Sequence, residues 1–221
     1  MKRLIYSTGS YAVFRWYFTN SALPWASENG ERFHDWIIRL KNNNNGDNVV
    51  LNFFISILLS LLRNDDFGLG RPDIIISIPP SKSYEDNPSY SLNKIAKIVN
   101  EVYFGIKSDH HYLRRTKTIP SKSHNCFVHK DSMHVSGDLP ENVESVLLLD
   151  DVMTTNATLK AAGSLISESY PHVQITRFAF GETQRTGSTS FPEVPEFPDP
   201  WLTKTIGDLS KFHASLEKIR G

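Results

Sequence analysis

Hydrophobic and polar residues follow two patterns along the chain, one typical of helices and the other of buried strands. Four segments have apolar residues every three or four positions, and this spacing predicts helices. These segments are 32–41, 47–62, 91–103 and 158–168. Short runs of aliphatic residues predict buried strands. These runs lie at 72–80 and 146–150, a partial alternation of apolar and polar residues predicts a third strand at 172–180, and a shorter strand is expected near 111–113. Because strands and helices alternate, we predict an α/β fold with a mostly parallel sheet flanked by helices.

Three parts of the chain lack a regular period. Residues 1–30 are rich in aromatic side chains, which predicts either short strands or a cap over a pocket. The polar segment 114–139 predicts a long loop, and long loops in compact domains are usually functional or mobile. Prolines after residue 185 predict a linker, followed by an amphipathic C-terminal helix at 206–219. The expected organisation is one domain, 1–185, and an appendage, 186–221.

Composition and charge fit an ordinary globular protein. The 221 residues include 24 Lys and Arg and 24 Asp and Glu, so the formal net charge is zero. A neutral chain argues against binding nucleic acid mainly through a basic field, although a local basic patch is compatible with it. The single cysteine, Cys126, excludes an intramolecular disulfide and a cysteine-based zinc site, and it fits a reducing cytoplasm.

Two further patterns concern location and metal binding. The N-terminus does not have the apolar core of a signal peptide, and the most apolar run, 49–62, is too short for a membrane span. We therefore expect a cytoplasmic protein without a membrane partner, in which this run forms a buried helix. The histidines around the polar segment match no zinc spacing, so we predict that they are surface residues and that the protein has no metal site of its own. They are His110, His111, His124, His129 and His134.

The sequence VLLLDDVMTTNAT, residues 146–158, ends a predicted strand on two acids, Asp150 and Asp151. Parallel α/β sheets bind their ligands beyond the carboxyl ends of the strands. The turn into the next helix presents free backbone N–H groups, and its threonine hydroxyls add donors, which together suit a phosphate. The carboxylates repel a phosphate, so they must face a neutral, polyhydroxylated or metal-bound group. A ribose with a 5′-phosphate meets both demands. The alternative interpretation of the motif is a turn that caps the helix and leaves the two acids solvated, without a ligand.

This motif of 13 residues resembles the ribose-phosphate signature of type I phosphoribosyltransferases. The resemblance implies a phosphoribosyltransferase-type, Rossmann-like fold with a small hood region, and a site for phosphoribosyl pyrophosphate. It also implies that Asp150 and Asp151 are the catalytic acids, which contact the ribose hydroxyls. The implied 5′-phosphate loop is Met153, Thr154, Thr155, Asn156, Ala157 and Thr158. Asn156 stands where the family has glycine, and Asn is the non-glycine residue that adopts positive φ most readily.

The layout of residues 36–180 is similar to that of the ComF-like branch, which is linked to competence and DNA uptake. The similarity rests on two helical segments before the first strand, on IISIPPSKS at the end of that strand and on LRRTKTIPSK. The four-cysteine zinc knuckle of the branch is absent from this sequence. The similarity implies that the loop after the first strand and a second, flexible loop contact the pyrophosphate. The residues implied are Pro80, Ser81, Lys82, Arg115 and Lys117. The alternative for the basic residues is a solvated surface.

The resemblance implies an enzyme of nucleotide metabolism. It would be a Mg²⁺-dependent transferase that moves the phosphoribosyl group to a nitrogenous acceptor and releases pyrophosphate. A second hypothesis is a sensor that binds a nucleotide or phosphoribosyl ligand without turnover. Asn156 favours it, as does PSYSL, residues 88–92, in place of the basic motif of the branch. A third is an accessory protein in DNA uptake or mobile-element defence. The acceptor is open, since the hood is either residues 1–30 or the proline-rich tail, and so is the choice between a homodimer and a protein partner.

Overall fold

A computed structural model describes most of the predicted domain. It covers residues 5–7, 9–18, 36–42, 48–63, 71–83, 90–106, 111–120, 123 and 125–185. The predicted linker and C-terminal helix lie outside the described residues, as does most of the predicted cap beyond residue 18. Structural statements below refer to the described ranges alone.

A five-stranded sheet forms the centre of the structure, and a two-stranded sheet lies beside it. The strands are β1 (Ile5–Ser7), β2 (Ser10–Phe18), β3 (Ile74–Ser77), β4 (Leu113–Arg115), β5 (Met133–Val135), β6 (Ser145–Met153) and β7 (Gln174–Arg185). The order in the large sheet is β1-β2-β7-β6-β3. Strands β2, β7, β6 and β3 are parallel to their neighbours, whereas β1 pairs antiparallel with β2 at the edge. Strands β4 and β5 form an antiparallel pair.

Helices flank the large sheet, so the predicted α/β fold with a mostly parallel sheet is confirmed. They are α1, described for residues 36–41, α2 (Asn48–Arg63), α3 (Ser91–Val99), α4 (Cys126–Asp131) and α5 (Ala157–Ser169). A π-helical turn, Asn100–Phe104, continues α3. Among the described helices, none combines the length and the apolar character that crossing a membrane requires.

The central strands are buried because helices cover both faces of the sheet. Strand β6 carries unbroken aliphatic residues, and alternate side chains enter two different cores. Leu147 and Leu149 pack with α2 and α3 in one core, whereas Val146 and Leu148 pack with α5 in the other. The unbroken apolar run that predicted this strand is therefore the consequence of two buried faces.

The polar segment 114–139 contains more regular structure than the predicted long loop. Arg115 ends β4, and the segment then contains α4 and β5, which returns antiparallel to β4. Helix α4 is only six residues long and leaves Phe127 81% exposed, so it has no apolar stripe that periodicity could detect. At the N-terminus the described residues form strands, the first of the two expectations, but only β1 is short, because β2 has nine residues and pairs with β7 in the main sheet.

Candidate functional site

The candidate site is the turn between β6 and α5, at the carboxyl ends of the parallel strands. Strand β6 extends to Met153 and α5 begins at Ala157. Of the three turn residues between them, Thr154 and Thr155 are exposed and Asn156 is buried. A cavity of about 90 Å³ opens at this turn. Its lining residues are Ser123, His129, Asp150 and the continuous segment 152–159. This volume is far below the roughly 300–1,000 Å³ of pockets that enclose whole small molecules, so it suits one group of a ligand.

All six residues predicted for the 5′-phosphate loop line this cavity. Thr154 and Thr155 are exposed and Thr158 is partly exposed, which leaves hydroxyl groups within reach of a ligand. Thr154 is held in place by a hydrogen bond between its Oγ1 and that of Thr183 on β7, at 2.7 Å. The N-terminus of α5 adds backbone N–H groups and the positive end of the helix dipole. The turn therefore offers several hydrogen-bond donors to an anionic group.

Asn156 adopts the left-handed backbone conformation that was expected where the family has glycine. Its φ is 62° and its ψ 13°, and among the described residues no other non-glycine has a positive φ. Its side chain is buried, and Nδ2 donates a hydrogen bond of 2.5 Å to Oγ of Ser10 on β2. Asparagine thus supplies the backbone geometry of the turn and also connects the turn to a strand two positions away in the sheet.

Asp150 forms one wall of the cavity. Its Oδ1 accepts a hydrogen bond of 2.8 Å from the backbone N–H of Asp151, and no described residue donates one to Oδ2. Burial and the negative charge of Asp151 raise the pKa of Asp150 to about 7, against the opposing charges of Lys41 and Arg115. The carboxyl group of Asp150 therefore changes its charge near neutral pH.

Asp151 is turned away from the cavity, toward the other face of the sheet. It is 6% exposed, its Oδ2 accepts a hydrogen bond of 2.7 Å from the Tyr90 hydroxyl, and its Oδ1 lies 3.2 Å from Nζ of Lys41. Burial acts to lower the pKa of Lys41, but the charge and hydrogen bond of Asp151 outweigh it and raise that pKa. Burial and the two carboxylates raise the pKa of Tyr90, so its hydroxyl stays protonated and donates. Both oxygens of Asp151 thus have partners within the protein.

Arg115 connects β4 to the loop after β3. It is 2% exposed, its Nε donates a hydrogen bond of 2.5 Å to the carbonyl oxygen of Pro80, and one terminal nitrogen donates to Oγ of Ser132. Burial lowers the pKa of Arg115 to about 10, although the charges of Asp150 and Tyr90 act in the opposite direction. Arg115 remains cationic at neutral pH and close enough to Asp150 to interact with its charge.

The other residues predicted to contact pyrophosphate are divided between two places. Pro80 and Ser81 lie in the loop after β3, and the Ser81 carbonyl oxygen accepts from the backbone N–H of Ile119, at 2.9 Å. Lys82, in the same loop, is exposed. Lys117 instead pairs with Asp131, and both side chains are largely exposed. The structure therefore brings Pro80, Ser81, Lys82 and Arg115 together, but it directs the ammonium group of Lys117 toward α4.

The sequence pattern missed three residues of the site: Lys41, Tyr90 and His129. The prediction of a surface position was wrong for His129, which is 6% exposed. Its Nε2 lies 2.9 Å from the Ser123 carbonyl oxygen, and its Nδ1 lies 3.4 Å from Oγ1 of Thr158. Each of the three is brought to the site by a contact between distant parts of the chain, which a local pattern does not show.

Within the described ranges, no group of three or more His, Cys, Asp or Glu side chains is arranged to hold a metal ion.

No protein-family model matches the chain, and a comparison with curated protein sequences finds none that matches.

Proposed function

We propose that the protein is a cytoplasmic phosphoribosyltransferase with a phosphoribosyltransferase-type fold, and that its substrate is phosphoribosyl pyrophosphate. The observation that carries this proposal is the turn at Thr154–Asn156, where a positive φ, threonine hydroxyls and a helix N-terminus surround one small cavity. Such a turn suits a phosphate group. The carboxyl group of Asp150 on the same cavity suits the hydroxyl groups of the attached ribose.

The rest of the ligand would extend from this cavity toward the end of β3. That strand pairs with β6 in parallel register, with Ser77 opposite Leu149, so the loop after β3 lies at the same edge of the sheet as Asp150. Ser81 and the exposed Lys82 follow in this loop. A hydroxyl and an ammonium group there would bind the pyrophosphate.

The proposed reaction forms a bond between C1 of the ribose and a nitrogen of the acceptor. The bond from C1 to the pyrophosphate oxygen breaks, and pyrophosphate leaves with the electron pair. The protein acts mainly by placing the reactants and by offsetting charge on the leaving group. The turn at Thr154 would fix the 5′-phosphate, Asp150 would orient the ribose, and Lys82 would stabilise the departing pyrophosphate.

The donor groups of the site fit a Mg²⁺ ion that the ligand carries. Asp150 has one oxygen, Oδ2, to which no described residue donates, whereas both oxygens of Asp151 have partners. Mg²⁺ keeps several water ligands and is commonly bound through one or two carboxylates plus substrate phosphates. When bound, the ion would offset negative charge on the pyrophosphate. Asp150 would support it, directly or through water.

The proposal is tested by titrating labelled phosphoribosyl pyrophosphate in the presence of Mg²⁺. We expect the double variant Asp150→Asn/Asp151→Asn to bind at least about ten-fold more weakly, because Asp150 loses a charged hydrogen bond to the ribose that contributes about 1.5 kcal/mol or more, and Asp151 loses the charge that holds Lys41 beside it. The matched control is Asp138→Asn/Glu141→Gln, which removes two negative charges from exposed residues outside the site. Absence of binding by the native protein, or equal binding by the Asp150/Asp151 variant, would refute the proposal.

A non-catalytic sensor is the second candidate, and the pairing of Lys117 with Asp131 favours it, because a residue implied for pyrophosphate binding is turned elsewhere. Release of pyrophosphate with any of a panel of nitrogenous acceptors would exclude this candidate. The accessory role in DNA uptake or defence has less support. Arg115 is buried and Lys117 is paired, which reduces the basic surface that nucleic acid would contact.

A further inference from the structure

Lys41 places a positive charge at the acid pair from a distant part of the chain. It lies at the end of the described part of α1, and its Nζ is 3.2 Å from Oδ1 of Asp151. About half of its side chain is exposed, but the carboxylate it contacts is almost fully buried. The negative charge of Asp151 also holds the pKa of Lys41 above its ordinary value, so the ammonium group stays charged.

Two cations of the described residues act on the acid pair. Asp150 and Asp151 contribute two carboxyl groups, and Lys41 and Arg115 contribute two cations whose charges act on Asp150. A buried carboxylate needs such compensation, and a lysine or a bound metal ion can each provide it. At Asp151 the ammonium group of Lys41 already provides this compensation. A divalent ion coordinated there would have to displace the ammonium group or bind beside it against charge repulsion.

The two carboxylates consequently differ in what they can bind. Asp150 lines the cavity and keeps an oxygen, Oδ2, to which no described residue donates a hydrogen bond, whereas Asp151 holds Lys41 on one oxygen and Tyr90 on the other. We propose that Lys41 is a built-in counter-cation that keeps divalent metal off Asp151 and, together with Arg115, leaves the acid pair too little negative charge to hold Mg²⁺ without pyrophosphate, so that the ribose 5-phosphate part of the ligand is bound without Mg²⁺. This inference rests on the proposed function for the identity of the ligand, but not for the role of the lysine. Mg²⁺ would then be needed only where pyrophosphate is present.

The first experiment uses metal alone. Mn²⁺ is titrated into the native protein and into Lys41→Met, and bound Mn²⁺ is measured by electron paramagnetic resonance. We expect the variant to bind Mn²⁺ about ten-fold more tightly than the native protein, because Asp151 loses its cation. Lys41→Arg, which keeps the charge, should bind Mn²⁺ as the native protein does. Lys130→Met is the matched control, because Lys130 also pairs with an acid, Glu168, at a surface away from the acid pair. Equal Mn²⁺ binding by native protein and Lys41→Met would overturn the inference.

The second experiment uses ribose 5-phosphate with the native protein, so it does not depend on the folding of a variant. We expect its affinity, measured by calorimetry, to be the same with Mg²⁺ and with a chelator. An affinity at least about ten-fold higher with Mg²⁺ would overturn the inference. If ribose 5-phosphate does not bind under either condition, the proposed function fails, and the Mn²⁺ titration still decides the role of Lys41.

Discussion

Asp73 and Asp150 lie at opposite ends of the same pair of parallel strands, and their carboxyl groups have opposite surroundings. Asp73 directly precedes β3 and accepts three hydrogen bonds at Oδ2, from the backbone N–H groups of Glu144 and Ser145 and from Oγ of Ser145, at 2.8–3.0 Å. Burial acts to raise the pKa of Asp73, but these hydrogen bonds outweigh it and lower that pKa. Asp150 accepts one such bond, and its pKa is raised to about 7.

This difference separates a structural acid from one available to a ligand. The donors around Asp73 come from the start of β6, so its carboxylate fixes how β3 and β6 begin together. Asp150 is partly buried and no described residue donates to its Oδ2, so that ionisation of this group destabilises the native state. We interpret the lack of a described donor at Oδ2 of Asp150 as a sign that a ligand supplies its hydrogen-bond partners.

Asp73→Ala gives the largest expected change in stability. The variant loses three hydrogen bonds to a carboxylate, so we expect the free energy of unfolding to fall by about 2–3 kcal/mol in urea denaturation. Affinity for phosphoribosyl pyrophosphate should stay the same, because Asp73 lies at the other end of the sheet. Asp138→Ala, which changes an exposed aspartate, is the control and should leave stability unchanged. A stable Asp73→Ala protein would show that the hydrogen bonds of Asp73 do not hold the strands together.

The pH dependence of the two acids has opposite signs. The stability that Asp73 contributes is present above the ordinary pKa of 3.8 and is lost as pH falls through its lowered folded value. Asp150, with its folded pKa raised from 3.8 to about 7, contributes stability below 3.8 that is lost as pH rises toward 7.

Asp150→Asn should therefore stabilise the protein at about pH 8 while it weakens ligand binding. The neutral amide avoids the cost of a buried charge, and its oxygen can still accept from the Asp151 backbone N–H. We expect a gain on the order of 2 kcal/mol at pH 8, decreasing to little change near pH 4, measured by urea denaturation at both pH values. A loss of stability at pH 8 would contradict the raised pKa of Asp150.

The strands that carry these acids were predicted from sequence, because β3 and β6 are aliphatic on both faces and produce unbroken apolar runs. The turn was predicted because its residues are contiguous. The positive φ at Asn156 could also be predicted, because asparagine adopts this conformation more readily than other non-glycine residues. The separate roles of Asp150 and Asp151 follow from the two-residue period of a strand, although the motif presents them as a pair.

Other parts of the site depended on contacts between distant residues. Lys41 and Tyr90 reach Asp151 from more than 60 positions away in the chain, the Tyr90 hydroxyl across a separation of 61 residues. The short strand predicted near 111–113 overlaps β4 at Leu113, whereas β5 and α4 were missed because a three-residue strand and a six-residue helix are too short for a hydrophobic period. Tertiary packing, and not local preference, determines these elements.

Asn156, in the turn after β6, has a structural role that can be tested separately. Asn156→Gly keeps the backbone conformation but removes the hydrogen bond to Ser10. We expect the free energy of unfolding to fall by about 1 kcal/mol, with a similar loss for Ser10→Ala. The double variant should lose little more than either single variant, because both remove the same bond. Fully additive losses would show that the two residues act independently.

The substitution Lys117→Met has the smallest expected effect on stability. It tests whether an exposed lysine that is paired with another residue contributes to ligand binding. Its ion pair with Asp131 is largely solvent-exposed, so Lys117→Met should change the free energy of unfolding by less than about 0.5 kcal/mol. Because its ammonium group is directed toward α4, we also expect the variant to weaken binding of phosphoribosyl pyrophosphate less than Lys82→Met does. Both affinities are measured by the titration described above. A larger loss for Lys117→Met would mean that the pair with Asp131 opens when the ligand binds, and that the loop of Lys117 closes over the pyrophosphate.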